Sequence, residues 1–205
     1  MPKLTMTAFV TLDGVMQAPG GPQEDMSGGF AHGGWVVPYF DAKFGEFMVG
    51  IFARAGAFLI GRGTYQIFAG HWPHVTDRDD AIAMALNTLP KYVASRTLAS
   101  VEWKGSTLVR DVPAEVARLK AAPGAGELQV HGSPGLAQTL LQHELIDELH
   151  LLTFPVVLGS GKKLFGAGTV PTAFELAATE ATAAGGVISS YRRTGRPTFG
   201  LVGSP

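Results

Sequence analysis

The sequence contains no cysteine, which excludes disulfide bridges, thiolate catalysis and zinc sites built on cysteine. Charged residues make up only 16% of the chain, the formal net charge is −1, and lysine and arginine form no run. Nucleic acids and anionic membranes are therefore not expected partners. No apolar stretch approaches the length of a membrane span, and the N-terminus has no basic and apolar leader. We therefore expect a cytoplasmic protein.

What the sequence does contain is an alternation of short apolar runs and amphipathic segments. Strands are predicted at Leu4–Leu12, Ala57–Ile60, Lys91–Ala94, Thr107–Val109, from Leu128, and at Glu148–Val157. Helices are predicted between them, at Pro38–Ala53, after Thr64, and at Asp77–Leu86, Val112–Ala121 and from Gly135. The alternation predicts an α/β fold with a mostly parallel central sheet flanked by helices. The length fits one domain spanning residues 1–205.

Two segments depart from this alternation. Ala173–Ala181 and Val187–Arg193 resemble strands joined by Gly185-Gly186, which predicts a C-terminal antiparallel hairpin at the edge of the sheet. Val15–Gly34 is rich in glycine and has neither helical nor strand periodicity. A loop of that length inside a compact domain is usually functional or mobile.

The segment Leu128–Gln142 carries a pattern that is typical of anion binding. A short apolar strand runs into Gly132-Ser133-Pro134-Gly135, and a helix opens there. The free N–H groups and the positive end of the helix dipole would face the same point, and glycine lets the backbone approach a phosphate closely. The alternative is an ordinary strand-to-helix connection in which Ser133 caps the helix.

Two further strands end in residues that suit phosphate. Gly61-Arg62-Gly63-Thr64 and Ser95-Arg96-Thr97 each pair an arginine with hydroxyl groups, and ligands of open α/β sheets bind at the carboxyl ends of the strands. A dinucleotide with a 2′-phosphate needs a helix-end site and an arginine and hydroxyl pocket. The alternative is that both arginines decorate the surface. The dinucleotide fingerprint G-x-G-x-x-G does not follow the first strand.

The order of these motifs resembles the dihydrofolate-reductase-like superfamily. The segments are TAFVTLDGV, GRGTY, KYVASRTL, VHGSPGLAQTLL and ELHLLTFPVVLGSGKKLF. They are most similar to the reductase domain of the riboflavin-biosynthesis deaminase–reductase, the RibD C-terminal domain, in a stand-alone form. The resemblance implies a three-layer dihydrofolate-reductase-like fold with NADPH as cofactor. The deaminase half has a zinc signature with cysteine, so no deaminase activity is expected here.

The resemblance also implies the roles of particular residues. Arg62 would lie near the 2′-phosphate of NADPH, with the remaining cofactor contacts made by Gly61, Thr64, Ser95, Arg96, Thr97, Gly132, Ser133, Gly135 and Leu136. The substrate would lie against the end of the first strand, the long loop, the first helix and the strand that ends at Pro155. No substrate pocket rich in lysine, arginine and serine is evident for a ribose phosphate.

Asp13 is the candidate catalytic residue, because it lies where the first strand meets the long loop. The alternative is a turn residue before Gly14. Asp41 lies where dihydrofolate reductases carry their substrate-binding acid, although an acid near a helix start is also stabilised by the helix dipole. The other candidate substrate-binding residues, each with a structural alternative in the core or at a strand end, are Trp35, Tyr39, Tyr65, Trp72 and Glu148.

No metal site is predicted, because Pro73 interrupts the spacing of His71 and His74. His131 is expected to be buried or bonded to backbone. The sequence thus predicts an NADPH-dependent reductase that transfers a hydride to a small heterocyclic, carbonyl or imine substrate, pterin-like or pyrimidine-like. The alternatives are an NADP(H)-binding protein without turnover and a flavin- or deazaflavin-linked oxidoreductase. The expected partners are the small-molecule substrate and a second copy of the chain.

Overall fold

A single sheet of eight strands organises the computed structural model, which describes residues 2–203. In chain order, the strands are β1 Leu4–Thr11, β2 Ala55–Gly61, β3 Lys91–Ala94, β4 Ser106–Val109, β5 Glu127–His131, β6 Glu148–Phe154, β7 Ala173–Ala181 and β8 Val187–Gly195. They lie side by side in the order β4-β3-β2-β5-β1-β6-β8-β7. The prediction of one domain over residues 1–205 includes residues 1, 204 and 205, which lie outside the described range.

The first six strands are parallel, and the last two add an antiparallel edge. β1 pairs with β5 on one side and β6 on the other, while β8 pairs antiparallel with both β6 and β7. The mostly parallel sheet and the C-terminal hairpin are confirmed. β6 ends at Phe154, three residues before the predicted Val157, because Pro155 has no N–H with which to continue the ladder.

Five α-helices cover the sheet: α1 Ala42–Phe52, α2 Arg62–His71, α3 Ala81–Thr88, α4 Val112–Ala121 and α5 Pro134–Gln142. Two begin later than predicted, because an aspartate caps each of them. Asp41 accepts a hydrogen bond from the Phe44 N–H, so α1 starts after it and not at Pro38. Asp80 accepts from the Ile82 and Ala83 N–H groups at 2.9 Å, so α3 starts after it and not at Asp77.

The sheet is buried on both faces, which produces three layers. On one face, β2 and β6 pack with α1 through Phe58, Phe154 and Phe44. On the other face, β1 and β5 pack with α5 through Met6, Val130 and Leu140. Burial on both faces explains why β1 is nearly continuous in apolar residues and threonine. No helix among residues 2–203 is long and apolar enough to cross a membrane.

Candidate active site

A cleft of about 2490 Å³ opens at the carboxyl ends of the parallel strands. Its floor is formed by β1 and the end of β5, and α1 forms one wall. The three loops that follow β2, β3 and β5 line the opposite side, and the long loop after β1 contributes the segment from Met16 to Ser27. Parallel strands bring all of these segments to one edge, which is where open α/β sheets bind ligands.

The loops after β2 and β3 are joined by a direct hydrogen bond. Arg62 donates from Nη1 to the Thr97 hydroxyl at 2.9 Å. The Ser95 hydroxyl accepts the N–H groups of Thr97 and Leu98, which folds the second loop into a tight turn. Arg96 is exposed on the cleft side of this turn and makes no hydrogen bond within residues 2–203. Two guanidinium groups and two hydroxyls therefore lie together, a set that suits phosphate oxygens.

Arg110 fixes the same turn from the end of β4. Its guanidinium donates to the Ser95 carbonyl at 2.6 Å and to the Leu98 carbonyl at 2.5 Å. Arg110 was not among the predicted site residues, because its partners precede it by more than ten residues and no motif links them. An arginine that directly follows a short strand was the only available signal.

The loops after β2 and β5 meet through glycine. A Cβ atom on Gly61 would lie only 2.0 Å from the Ser133 hydroxyl oxygen, so this close approach requires glycine. Gly132 has a φ of +72°, and a Cβ there would lie 3.1 Å from the Thr64 hydroxyl oxygen. The structure therefore brings together the three loops that the sequence analysis proposed as one site.

Two helices begin at this meeting point with free donors. Ser133 occupies the N-cap position of α5, but its side chain makes no capping hydrogen bond, so its hydroxyl remains available to a ligand. Pro134 has no N–H, which leaves the N–H groups of Gly135 and Leu136 as the free donors of the first turn. α2 likewise begins, at Arg62, without a side-chain cap, because Gly61 occupies its N-cap position.

The other half of the cleft is mostly apolar. β1 contributes Thr7 and Phe9, and α1 contributes Met48 and Phe52, with Phe40 just before it. The acidic residues that line the cleft, Glu24, Asp25 and Asp111, belong to other elements, the long loop and the N-cap position of α4. The apolar wall therefore offers a flat, uncharged surface.

His131 ends β5 at the boundary between the apolar wall and the three loops. Its ring stacks on Phe52, with centroids 4.4 Å apart and planes 12° apart, and its Nε2 lies 3.2 Å from the Gln129 side-chain oxygen. Burial, with a smaller contribution from the charge of His150, lowers the pKa of His131 to about 3. Of the two expected alternatives, burial or a bond to backbone, the ring is buried, and its hydrogen bond joins two side chains.

Asp13, the candidate catalytic residue, lies outside the cleft lining. Its carboxylate accepts the Thr11 hydroxyl at 2.6 Å and the N–H groups of Leu158 and Gly159. These bonds, the Thr11 bond above all, lower the pKa of Asp13 to about 2. Asp13 therefore ties the end of β1, just before the turn at Gly14, to the loop after β6. Because its pKa is low, it holds no proton to donate near neutral pH.

Asp41 also lies outside the cleft lining, in contrast to the position expected for a substrate-binding acid. Besides capping α1 it accepts the Ala184 N–H at 3.1 Å, which ties the helix to the C-terminal hairpin. Burial would raise the pKa of Asp41, but hydrogen bonds from Ala184 and Phe44 outweigh that effect and lower it. Both oxygens of the carboxylate thus accept hydrogen bonds from backbone N–H groups.

Trp72 lines the cleft, whereas the other candidate substrate residues lie elsewhere. Trp35 is buried and donates its indole N–H to the Gln17 carbonyl at 2.8 Å. Tyr39 is half-buried against the core next to α1. The Tyr65 hydroxyl is buried and accepts two backbone N–H groups. Glu148 begins β6 at the opposite edge of the sheet, where it pairs with Lys3.

The long loop is tied down by Gln17, a residue the sequence analysis passed over. Its buried amide donates to the Asp25 and Ser27 carbonyls at 3.0 Å and accepts the Lys162 N–H at 3.0 Å. The Lys162 ammonium in turn lies 2.6 Å from the Asp25 carboxylate. These bonds fix the loop as a wall of the cleft.

Comparison with known proteins agrees with this architecture. A solved structure from Shewanella sp. PV-4, of a protein named for riboflavin biosynthesis, has a TM-score of 0.66 at 20% identity and covers 94% of this chain and 99% of its own. Dihydrofolate reductase from Enterococcus faecalis, complexed with NADP(H), has a TM-score of 0.60 at 12% identity over 94% and 96% of the two chains. At these identities the likeness shows a shared fold, which is dihydrofolate-reductase-like.

Sequence comparison shows the family. An uncharacterised Bacillus subtilis protein, YyaP, is 27% identical over 165 residues, which is 80% of each chain. The model of the RibD C-terminal domain matches residues 2–188, nearly the whole of the chain. The protein therefore belongs to the RibD C-terminal domain family.

Proposed function

We propose that this protein is an NADPH-dependent reductase of a small, uncharged substrate. The observation that carries the proposal is the convergence of three strand-end loops, two free helix N-termini and two arginines at one side of a cleft whose other wall is mostly apolar. The family membership supports a reductase, and the bound NADP(H) of the Enterococcus neighbour supports the cofactor.

The pyrophosphate and the 2′-phosphate of NADPH each have a matching set of donors in the cleft. The pyrophosphate fits the start of α5, where the Gly135 and Leu136 N–H groups and the Ser133 hydroxyl are free. The 2′-phosphate fits the pocket made by Arg62, Arg96 and Thr97, because arginine binds phosphate oxygens bidentately. NADH lacks this phosphate, so the pocket predicts a preference for NADPH.

The apolar wall is the proposed substrate surface. When bound, NADPH supplies the hydride that adds to the carbon of a C=N or C=O bond, while the substrate nitrogen or oxygen takes up a proton and NADP⁺ leaves. Phe9, Phe40 and Phe52 would orient a flat ring and exclude water from its faces. Because neither Asp13 nor Asp41 reaches this wall, we infer that the proton comes from water in the cleft.

Fluorescence titrations with NADPH and NADH, followed by a screen for cofactor oxidation, test the proposal. We expect clear preference for NADPH, and oxidation of bound NADPH by uncharged pterin-like or pyrimidine-like compounds or other cyclic imines. If neither dinucleotide binds, the proposal is wrong. The second candidate function, NADP(H) binding without turnover, is favoured by the lack of a carboxylic acid in the apolar wall. Tight binding with no oxidation by any compound of the screen would support it.

A further inference from the structure

A row of polar side chains runs along one face of β5, from the amino edge of the sheet to the cleft. Glu127, Gln129 and His131 occupy alternate positions, so their side chains point the same way. Arg54 donates to one oxygen of Glu127 at 2.8 Å at the far end. The row therefore links the cleft to charged groups at the opposite edge through direct hydrogen bonds.

The orientation of the Gln129 amide is fixed by its neighbours. Its nitrogen lies 2.7 Å from the Ile51 carbonyl and 2.9 Å from the second Glu127 oxygen, and both of these groups are acceptors. The amide N–H groups must therefore point at them, which leaves the Gln129 oxygen facing His131. Gln129 is 1% exposed, so water does not substitute for any of these bonds.

This arrangement determines which nitrogen of His131 carries the proton. The Gln129 oxygen can only accept, so His131 Nε2 must donate to it across 3.2 Å. The remaining nitrogen, Nδ1, then has a free lone pair in the neutral ring. It makes no hydrogen bond to any of residues 2–203. Since Nε2 is directed along the strand towards Gln129, Nδ1 is directed towards the carboxyl edge, where His131 lines the cleft.

The ring is held rigidly in this state. Phe52 stacks against it, Phe58 packs on it with centroids 5.9 Å apart, and Thr7 of β1 is its partner in the sheet. With its pKa lowered to about 3 by burial, His131 is uncharged at any pH near neutrality. His131 thus gives the cleft a preorganised, neutral hydrogen-bond acceptor at the boundary of the apolar wall, directly before the Gly132 loop.

We propose that Nδ1 of His131 determines specificity by accepting a hydrogen bond from a ring N–H or O–H group of an uncharged, flat substrate. This inference rests on the reductase function proposed above and names its substrate class. A substrate that has no N–H or O–H donor at this point would cover His131 Nδ1 without a hydrogen bond, which lowers its binding affinity. A cationic donor would have to lose its water against Phe9, Phe40 and Phe52, and no carboxylate of that wall compensates it.

A matched pair of probes tests the inference: quinoxalin-2-one, which has a lactam N–H beside a reducible C=N bond, and its N-methyl derivative. Their binding is measured by calorimetry with and without NADP⁺, so that it is scored independently of NADPH oxidation. We expect the N–H probe to bind the natural protein at least about tenfold more tightly than the N-methyl probe.

Two substitutions separate the acceptor from the shape of the pocket. His131→Phe keeps a flat ring but has no acceptor, and we expect the ratio of the two affinities to fall to about one. His131→Gln restores one donor for Gln129 and one acceptor for the cleft, and we expect it to recover much of the ratio. His74→Phe, at an exposed histidine outside the cleft, is the matched control and keeps the ratio of the natural protein. Melting temperatures establish that each variant is folded.

The inference is overturned if the N–H probe fails to bind, if the natural protein does not discriminate, or if His131→Phe discriminates as well as the natural protein does, since the difference is then steric. Discrimination that follows His131 without any NADPH oxidation supports the acceptor and contradicts the reductase. Oxidation of NADPH by both probes at equal efficiency supports the reductase and contradicts the acceptor.

Discussion

The guanidinium of Arg62 donates a hydrogen bond to the hydroxyl of Thr97, which lies 35 residues later in the sequence, at 2.9 Å. This bond joins the loops after β2 and β3, and Arg96 lies beside it on the cleft side. In the proposed 2′-phosphate pocket, this bond already holds Arg62 and Thr97 together, which lowers the cost of ordering them on binding.

The double substitution Arg62→Ala with Arg96→Ala should weaken NADPH binding by about a hundredfold or more, because two charge-assisted bonds are lost and each contributes roughly 1.5–3 kcal/mol. NADH, which has no 2′-phosphate, should lose much less. Nicotinamide fluorescence titrations measure both. Arg78→Ala, at an exposed arginine outside the cleft, is the control. Equal losses for the two cofactors would remove the 2′-phosphate from this pocket.

Gly61→Ala should reduce cofactor affinity. The added Cβ would lie 2.0 Å from the Ser133 hydroxyl oxygen, so the hydroxyl must move and the loops after β2 and β5 must separate. Gly70→Ala is a matched change in the same helix, α2, where an added Cβ meets nothing within 4 Å. It should leave binding unchanged and stabilise the helix by roughly 0.5–1 kcal/mol. The two variants are compared by the same titration. Similar affinities would show that the close approach of Gly61 to Ser133 is not needed for binding.

The stability of the protein should decrease on mild acidification because of His131. Its pKa is about 3 when folded and about 6.5 when unfolded, so between these values the unfolded chain binds more protons. The free energy of unfolding should therefore fall as the pH is lowered from about 7, by about 2 kcal/mol at roughly pH 5 from this residue. Urea unfolding of His131→Phe should show a shallower pH dependence than the natural protein, while His74→Phe should match it.

Asp13→Asn should lower the melting temperature without changing the pH profile of NADPH oxidation near neutrality. The carboxylate accepts the Thr11 hydroxyl and two N–H groups, and an amide cannot satisfy all three donors. Differential scanning calorimetry and rate measurements from pH 6 to pH 8 compare the two proteins. A rate that collapses while the melting temperature stays constant would restore Asp13 as a catalytic residue.

The strands and the three phosphate-type loops were predictable, because each depends on residues close together in the sequence. The glycines and the proline of Gly132-Ser133-Pro134-Gly135, for example, are local signals that predict the start of a helix. The full set of donors to Asp13 and Asp41 was not predictable, since besides the local donors Thr11 and Phe44 each carboxylate accepts from a residue more than 140 positions away, Gly159 or Ala184. An aspartate at a strand end or a helix start suits a cap and an active site equally well. Only tertiary structure distinguishes them.

The apolar half of the cleft was harder still to predict. His131 seemed unremarkable because its importance depends on the Gln129 amide, whose orientation depends in turn on a carbonyl of α1. Glu148 was a candidate with a solvated strand end as its alternative, and its ion pair with Lys3 at the amino edge agrees with that alternative. The homodimer and the single domain stay predictions.

The place of β1 in the sheet has a consequence for synthesis. This first strand is paired on both sides with strands that are made much later, as Leu4 with Leu128 and Thr11 with Phe154 show. A chain emerging from the ribosome therefore carries an apolar strand with two open edges until β5 has been translated, and with one open edge until β6 has followed. Closing such long loops late is slow, and unpaired strand edges invite aggregation. Production in a heterologous host should thus depend on chaperones and on slow translation more than the stability of the finished fold would suggest.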